Sequence, residues 1–266
     1  MVSGISIVCM AMTLAFIILL AVFLPVCIKK KFHTAVLPYF IGCGVFLVFA
    51  LILEQLMHMV VLGISGTAIT DNMWLYALYG GLAAGIFEET GRFLAMKFLM
   101  KKHYDNPHNV LMYGAGHGCF EAFMIVGTMM INNIVYSVTI NAGLTDKLLD
   151  AVPAEQKEQM QAVISQLIDA PSYMFLLSGA ERITAVMLHI ALSVLVWTAV
   201  VKNKAVFYPL AIFFHALLDG VLVVLQQSGV NSILLEVILF VLTLAIAVFT
   251  YGTWKREFKN TTPAVM

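Results

Sequence analysis

The sequence has little charge and no excess of either sign. Charged residues make up 11% of its 266 residues, and fifteen Lys and Arg balance fifteen Asp and Glu. Soluble globular proteins carry about 25% charged residues, so a soluble globular domain is excluded. Without a positive excess, the chain also lacks the electrostatic footprint of a nucleic-acid-binding protein. Apolar residues make up 61% of the sequence, and we expect lipid to surround most of the chain.

Several familiar site motifs are also missing. The four cysteines form no C-x-x-C pair, so neither a disulfide framework nor a zinc knuckle is indicated. The chain has no H-E-x-x-H, the helix motif of common zinc proteases, and no G-x-S-x-G, the motif of many serine hydrolases. A catalytic site in this protein therefore has to be built from other residues.

Seven apolar runs are each long enough to cross a bilayer, which takes about 20 helical residues. The runs are continuous rather than alternating, and only helices satisfy every backbone polar group within one segment. The sequence therefore predicts an all-α polytopic membrane helix bundle with about seven transmembrane helices, in a single domain over residues 1–266. The expected bounds are 3–28, 35–62, 73–100, 109–138, 173–201, 206–227 and 231–254.

Basic residues near the ends of the runs predict the orientation, because Lys and Arg stay on the cytoplasmic side. Most of them follow the first, third, fifth and seventh runs, namely Lys29, Lys30, Lys31, Lys97, Lys101, Lys102, Lys202, Lys204, Lys255, Arg256 and Lys259. We therefore expect the N-terminus outside, the C-terminus in the cytoplasm, and a multi-pass protein of the cell membrane. The lysines behind the first run also predict that this run is a retained anchor.

The connection between the fourth and fifth runs has its apolar residues at helical spacing after Pro153. This pattern predicts an amphipathic helix near 153–169 on the outer surface. An interfacial connector is the interpretation we favour, and a lid over a substrate site is the alternative.

Seven ionisable residues lie inside three apolar runs, where such groups are costly unless they are paired or hydrated. They are Glu88, Glu89 and Arg92 on the third run, His117 and Glu121 on the fourth, and His215 and Asp219 on the sixth. At a rise of about 1.5 Å per residue, they lie at similar depths, roughly 10 to 20 Å from the cytoplasmic ends of their runs. One buried polar site explains this coincidence, so all seven are candidate catalytic residues. The i,i+4 spacing predicts that Glu88 pairs with Arg92, His117 with Glu121 and His215 with Asp219.

Other ionisable residues carry weaker signals. His189 on the fifth run lies at a similar depth, but a lone histidine on an apolar helix is more often a packing residue, and we favour that interpretation. Glu54 with His58, and Glu181 with Arg182, lie toward the outer ends of their runs. We interpret these two pairs as interfacial and structural, with a gating role as the alternative.

A carboxylate and imidazoles in a dry site can activate a water molecule for attack on a peptide carbonyl. Glu88 is then the base and Arg92 its orienting partner, while groups on the facing helices stabilise the oxyanion. The same residue types bind divalent metals such as zinc. If a metal is present, the expected ligands are Glu88, His117 and His215.

Three motifs occur in order on three runs: E-E-T-G-R at 88–92, Y-G-A-G-H at 113–117 and H-A-L-L-D at 215–219. In these motifs the chain resembles the glutamic intramembrane protease superfamily, which includes type II CAAX prenyl endopeptidases and bacteriocin-processing enzymes, and in particular its bacterial YhfC branch of intramembrane metalloproteases. The resemblance implies an endopeptidase acting on membrane-embedded or membrane-proximal protein substrates in a bacterial plasma membrane. In the glutamic-type mechanism that we favour, in which Glu88 activates the water, no cofactor is required. It makes Glu88 the base, Glu89 and Arg92 its support, His117 a second water contact, and His215 with Asp219 the oxyanion-side pair.

The chain departs from the CAAX enzymes at three points. Two residues instead of three separate Glu89 from Arg92, Tyr113 replaces the usual Phe, and Asp219 stands where many members have Asn. An ionised Asp cannot donate to an oxyanion, so that role requires a protonated Asp219 or falls mainly to His215. Prenyl-protein processing is not implied.

Two alternatives use the same residues. One is a metal-dependent version of the same protease. The other is a non-catalytic membrane scaffold or a proton-coupled transporter, because buried ionisable groups also serve as proton relays.

Overall fold

The computed structural model describes residues 1–259, and within that range the chain forms helices and no strand. The α-helices are α1 (Gly4–Phe32), α2 (Leu37–Ser65), α3 (Met73–Leu94), α4 (Asn109–Asn141), α5 (Thr145–Asp150), α6 (Lys157–Asp169), α7 (Tyr173–Val201), α8 (Phe207–Gln227) and α9 (Ser232–Phe258). Every predicted run corresponds to one of the seven long helices. The predicted helical membrane bundle is therefore confirmed.

Six of these long helices are apolar enough to cross a membrane by length and composition. The remaining one is α3, which carries Glu88, Glu89 and Arg92 and is therefore more polar than the others. Within the described residues, three π-helical stretches interrupt or extend long helices: Phe49–Glu54 in α2, Ala95–Leu99 directly after α3, and Phe123–Gly127 in α4. The direction in which the helices cross the membrane stays a prediction.

Local sequence accounts for several helix ends. The side-chain oxygen of Asn72 accepts a hydrogen bond from the backbone N–H of Leu75 at 3.0 Å, which caps the start of α3. Pro38 lies in the first turn of α2, where its missing N–H costs nothing. Gly66, with φ +56°, ends the same helix, because glycine adopts positive φ without steric strain.

The chain divides into two compact units. The smaller unit comprises Met1–Leu20 and Ala122–Ile183. Ile164 and Leu167 of α6 are buried in its core, as the amphipathic pattern predicts, while the outer-surface position of α6 stays a prediction. The expectation of one domain over the whole chain likewise stays a prediction.

The larger unit comprises Ala21–Glu121 and the described residues from Thr184 onward. Glycines bring its helices close together, since several have backbone atoms of a neighbouring helix where a Cβ would lie. On α3, Gly81 and Gly85 pack against the backbone of α8 at Ala216 and Ile212. On α4, Gly116 packs against the backbone of Tyr39, and Gly118 against that of Val186 on α7. This tight packing brings the polar side chains of α3, α4, α7 and α8 together.

Candidate active site

The predicted polar residues meet in one cluster inside the larger unit. All seven candidates lie on α3, α4 and α8, and α7 adds His189. Glu89, Arg92 and His117 have no exposed surface. Asp219, with 37% of its side chain exposed, is much more accessible than Glu88 at 8%. The cluster is therefore buried among helices and is most open at Asp219.

Glu88 lies against two imidazoles. Its Oε2 is 2.8 Å from Nε2 of His117 and 3.9 Å from Nδ1 of His189. The rings of His117 and His189 are tilted by 33° to each other, with their centroids 4.7 Å apart. A carboxylate oxygen and two imidazole nitrogens thus converge from three helices.

The orientation of His189 is fixed from both sides of its ring. Its Nδ1 lies 3.0 Å from Nη2 of Arg92, and its Nε2 contacts Oε2 of Glu121. Because arginine only donates, Nδ1 accepts this hydrogen bond and the proton of a neutral His189 resides on Nε2, directed at Glu121. The structure thereby places His189 inside the cluster instead of in a packing role.

A second carboxylate, Glu89, binds Arg92 and His215. Its Oε1 is 3.1 Å from Nη1 of Arg92 and 2.8 Å from Nδ1 of His215. On the other side of the His215 ring, Nε2 is 3.6 Å from Oδ2 of Asp219. Since an ionised carboxylate only accepts, Nδ1 of His215 donates to Glu89. Glu89 therefore fixes both the guanidinium and the second imidazole.

Two of the three predicted pairs are exchanged for others. Arg92 binds Glu89 and His189 where Glu88 was expected, and Glu121 binds His189 where His117 was expected. Arg92 takes its i,i+3 neighbour Glu89 on the same helix, and His189 on α7 competes for both Arg92 and Glu121. His215 and Asp219 do lie within ion-pair distance, as expected.

The pairs expected near the outer helix ends both form. Glu54 Oε1 is 3.2 Å from Nε2 of His58 in the larger unit, and Glu181 forms an ion pair with Arg182 in the smaller unit. Glu54 is buried, however, with 7% exposure, which sequence reasoning missed.

The metal set indicated by the structure differs from the one expected from the sequence. Ligand atoms of Glu88, His117 and His189 lie within 4.8 Å of one another, and all three residues are buried. Two imidazoles and one carboxylate are the donor set of many catalytic zinc sites, so these residues fit a divalent metal. His215, the expected third ligand, binds Glu89 instead. Nδ1 of His189 would have to release Arg92 before it could bind a metal.

Together, the fold and the cluster define a polytopic helical membrane protein with a buried carboxylate–imidazole site. Residues 16–239 match the family model described as YhfC intramembrane metalloprotease. The chain belongs to this family. It is 37% identical over 262 residues, 97% of this chain and 100% of the relative, to the uncharacterized membrane protein YhfC of Bacillus subtilis (strain 168). No solved structure gives a significant match.

Proposed function

We propose that this protein is an intramembrane endopeptidase that hydrolyses peptide bonds of membrane-associated protein substrates. The proposal depends on the position of Glu88. Its buried carboxylate lies 2.8 Å from His117 and 3.9 Å from His189, and His189 in turn accepts a hydrogen bond from Arg92. A plain helix bundle has no need for several costly ionisable groups at one level. Hydrolysis in a lipid environment does need them.

In the proposed reaction, the Glu88 carboxylate takes a proton from a water molecule as that water attacks the scissile carbonyl. His117 orients Glu88 through its hydrogen bond. The proton then passes from Glu88 to the nitrogen of the leaving amine. Glu88 is thus both base and acid in one cycle.

The oxyanion of the intermediate requires a hydrogen-bond donor. His215 is the candidate in its doubly protonated form, in which Nδ1–H donates to Glu89 and Nε2–H is left to donate on the more open side of the cluster near Asp219. Asp219 is assigned an orienting role on His215, since an ionised carboxylate cannot donate. Glu89 and Arg92 hold the geometry.

A metal-dependent form of the same protease is the second candidate, favoured by the converging atoms of Glu88, His117 and His189. A divalent metal held by these three residues would polarise a carbonyl and make a bound water more acidic. Glu121 would then orient His189 from outside the ligand set, in the way that hydrogen-bonded partners orient metal-binding histidines.

The substrate is unidentified, so the test compares membrane proteomes. Cells producing the native protein, Glu88→Gln or Glu236→Gln at matched abundance are compared for new protein termini. The amide keeps the size of Glu88 but cannot take a proton, while Glu236 on α9 offers the same substitution outside the cluster. Fragments should occur with native protein and Glu236→Gln and be absent with Glu88→Gln. The same fragments with Glu88→Gln would exclude its role as the base and favour a scaffold or transport function.

A further inference from the structure

A second hydrogen-bonded group of ionisable side chains lies in the larger unit outside the cluster. It consists of Glu54 and His58 on α2 and Tyr79 on α3, which we call the Glu54 chain. Nε2 of His58 is 3.2 Å from Glu54, and Nδ1 is 2.7 Å from the hydroxyl of Tyr79. Side-chain exposure falls from 23% at His58 to 9% at Glu54. The group therefore runs from a half-buried end to a buried one.

The packing of α2 on α3 directs the buried end toward the cluster. Phe49 lies where a Cβ on Gly91 would be, and His58, later on α2, contacts Tyr79, which comes earlier on α3. The two helices are therefore antiparallel, and Glu54 lies on the part of α2 between these contacts, facing the part of α3 that carries Glu88. The π-helical stretch Phe49–Glu54 ends at Glu54 itself, and such stretches often occur at functional sites.

The charged groups that interact with Glu54 lie on its own helix and on two neighbours. They are His58 on α2, Glu88 on α3, and His215 and Asp219 on α8. Every one of these except His58 belongs to the cluster. Glu54 is thus hydrogen-bonded to the half-buried His58 and lies within electrostatic range of the proposed catalytic residues.

The Glu54 chain can adopt two complete hydrogen-bonding patterns. In one, Tyr79 donates to Nδ1 of His58, and Nε2–H donates to an ionised Glu54. In the other, Tyr79 donates to Sδ of Met57, 3.3 Å away, Nδ1–H donates to the Tyr79 oxygen, and a protonated Glu54 donates to Nε2. The second pattern holds one more proton, located on Glu54. A tautomer change of His58 therefore moves a proton between Glu54 and the half-buried end.

We propose that the Glu54 chain is a proton-transfer path that serves the active site, an inference that rests on the proposed function. Cleavage by water forms a C–O bond, breaks the C–N bond and gives an amine and a carboxylic acid. Glu88 returns one proton of the water to the amine, and the other remains on the new carboxyl group. Glu54 accepts this second proton and passes it to His58, which releases it through Tyr79 to water. The product then leaves as a carboxylate, and Glu54 is ionised again.

Kinetics of purified protein in vesicles, with a fragment-yielding substrate, provide the test. Glu54→Gln keeps the size and the acceptor for His58 but cannot carry a proton, so we expect kcat to fall about 10- to 100-fold with KM little changed. Glu54→Asp should restore part of kcat. Tyr79→Phe should also lower kcat, whereas Tyr76→Phe, one turn earlier on α3, should not. A kcat for Glu54→Gln equal to the native value would overturn the proposal.

A chemical rescue separates proton transfer from a packing role. His58→Ala should be slow, and added imidazole and other small buffers should accelerate it in the order of their basicity. Acceleration that follows buffer size, or none at all, would contradict a proton path. If native protein cleaves, Glu88→Gln does not, and the Glu54 chain variants remain fast, the proposed function stands and the proton path fails.

A readout independent of cleavage covers the case in which native protein shows no activity and the proposed function itself fails. In protein labelled with ¹⁵N-histidine, the chemical shifts of His58 report its two tautomers, with His58→Gln identifying the signals. We expect the tautomer populations to change in Glu88→Gln, although Glu88 does not contact His58. Unchanged populations would show that the Glu54 chain is not coupled to the cluster and would overturn the proposal.

Discussion

Arg92 should be the most costly single charge to remove from this protein. Arg92 and Glu89 each have a side-chain exposure of 0%, with Nη1 and Oε1 3.1 Å apart. Arg92→Met keeps much of the side-chain volume but leaves the Glu89 carboxylate buried without its cation. Breaking a buried ion pair from one side costs about 3–5 kcal/mol, because the remaining charge stays buried without its ion-pair partner. We expect a loss of that size in the free energy of unfolding.

The double variant Arg92→Met with Glu89→Gln isolates the charge effect. The second substitution removes the uncompensated charge and keeps an amide oxygen as acceptor for Nδ1 of His215, so most of the lost stability should return. The matched control is Arg256→Met on α9. The side chain of Arg256 is 67% exposed and pairs with Glu257 at 2.9 Å, and exposed pairs contribute about 0–1 kcal/mol.

The assay is reversible unfolding in mixed micelles of mild detergent and SDS, followed by circular dichroism and tryptophan fluorescence. Energies for the two single variants and the double variant form a double-mutant cycle. A loss below about 1 kcal/mol for Arg92→Met, no greater than for an exposed pair, would refute the buried ion pair. A double variant as unstable as the sum of both single variants would refute it equally.

Two further predictions concern helix packing and metal binding. Gly42→Ala should destabilise the protein by about 1–3 kcal/mol, because its Cβ would collide with the carbonyl oxygen of Tyr113. Gly44→Ala on the same helix, where the Cβ meets nothing within 4 Å, should be neutral or stabilising. Equal effects of the two substitutions would contradict the close approach of α2 and α4. For the metal-dependent form, elemental analysis of purified protein should find one divalent metal per chain, lost in His189→Ala and kept in His58→Ala. Full metal content in His189→Ala would exclude the proposed ligand set.

The positions of the helices could be predicted because the apolar runs are long and clearly delimited. The fifth predicted run, 173–201, coincides with α7, and the third begins where Asn72 caps α3. The shared depth of Glu88, His117 and His215 also predicted that they lie together, since depth follows from the regular rise of a helix.

Pairing within the cluster could not be predicted, because it depends on how the helices pack. Close approach at Gly118 brings α4 against α7, where Glu121 contacts His189, and Arg92 pairs with its i,i+3 neighbour Glu89 instead of Glu88. A lone His189 on an apolar helix has no sequence pattern that marks it as part of a site. The sequence also gives no indication of the π-helical stretch that ends at Glu54, because the residues F-A-L-I-L before this glutamate fit a regular α-helix equally well.

Cleavage by purified protein is the most direct test of peptide hydrolysis with Glu88 as the base. Native protein, Glu88→Gln and Glu236→Gln are reconstituted in lipid vesicles with a substrate identified from the new protein termini. With Glu88 as the base, we expect equal cleavage by native protein and Glu236→Gln, and a rate about 10²- to 10⁴-fold lower for Glu88→Gln. Cleavage by Glu88→Gln at the native rate would contradict it.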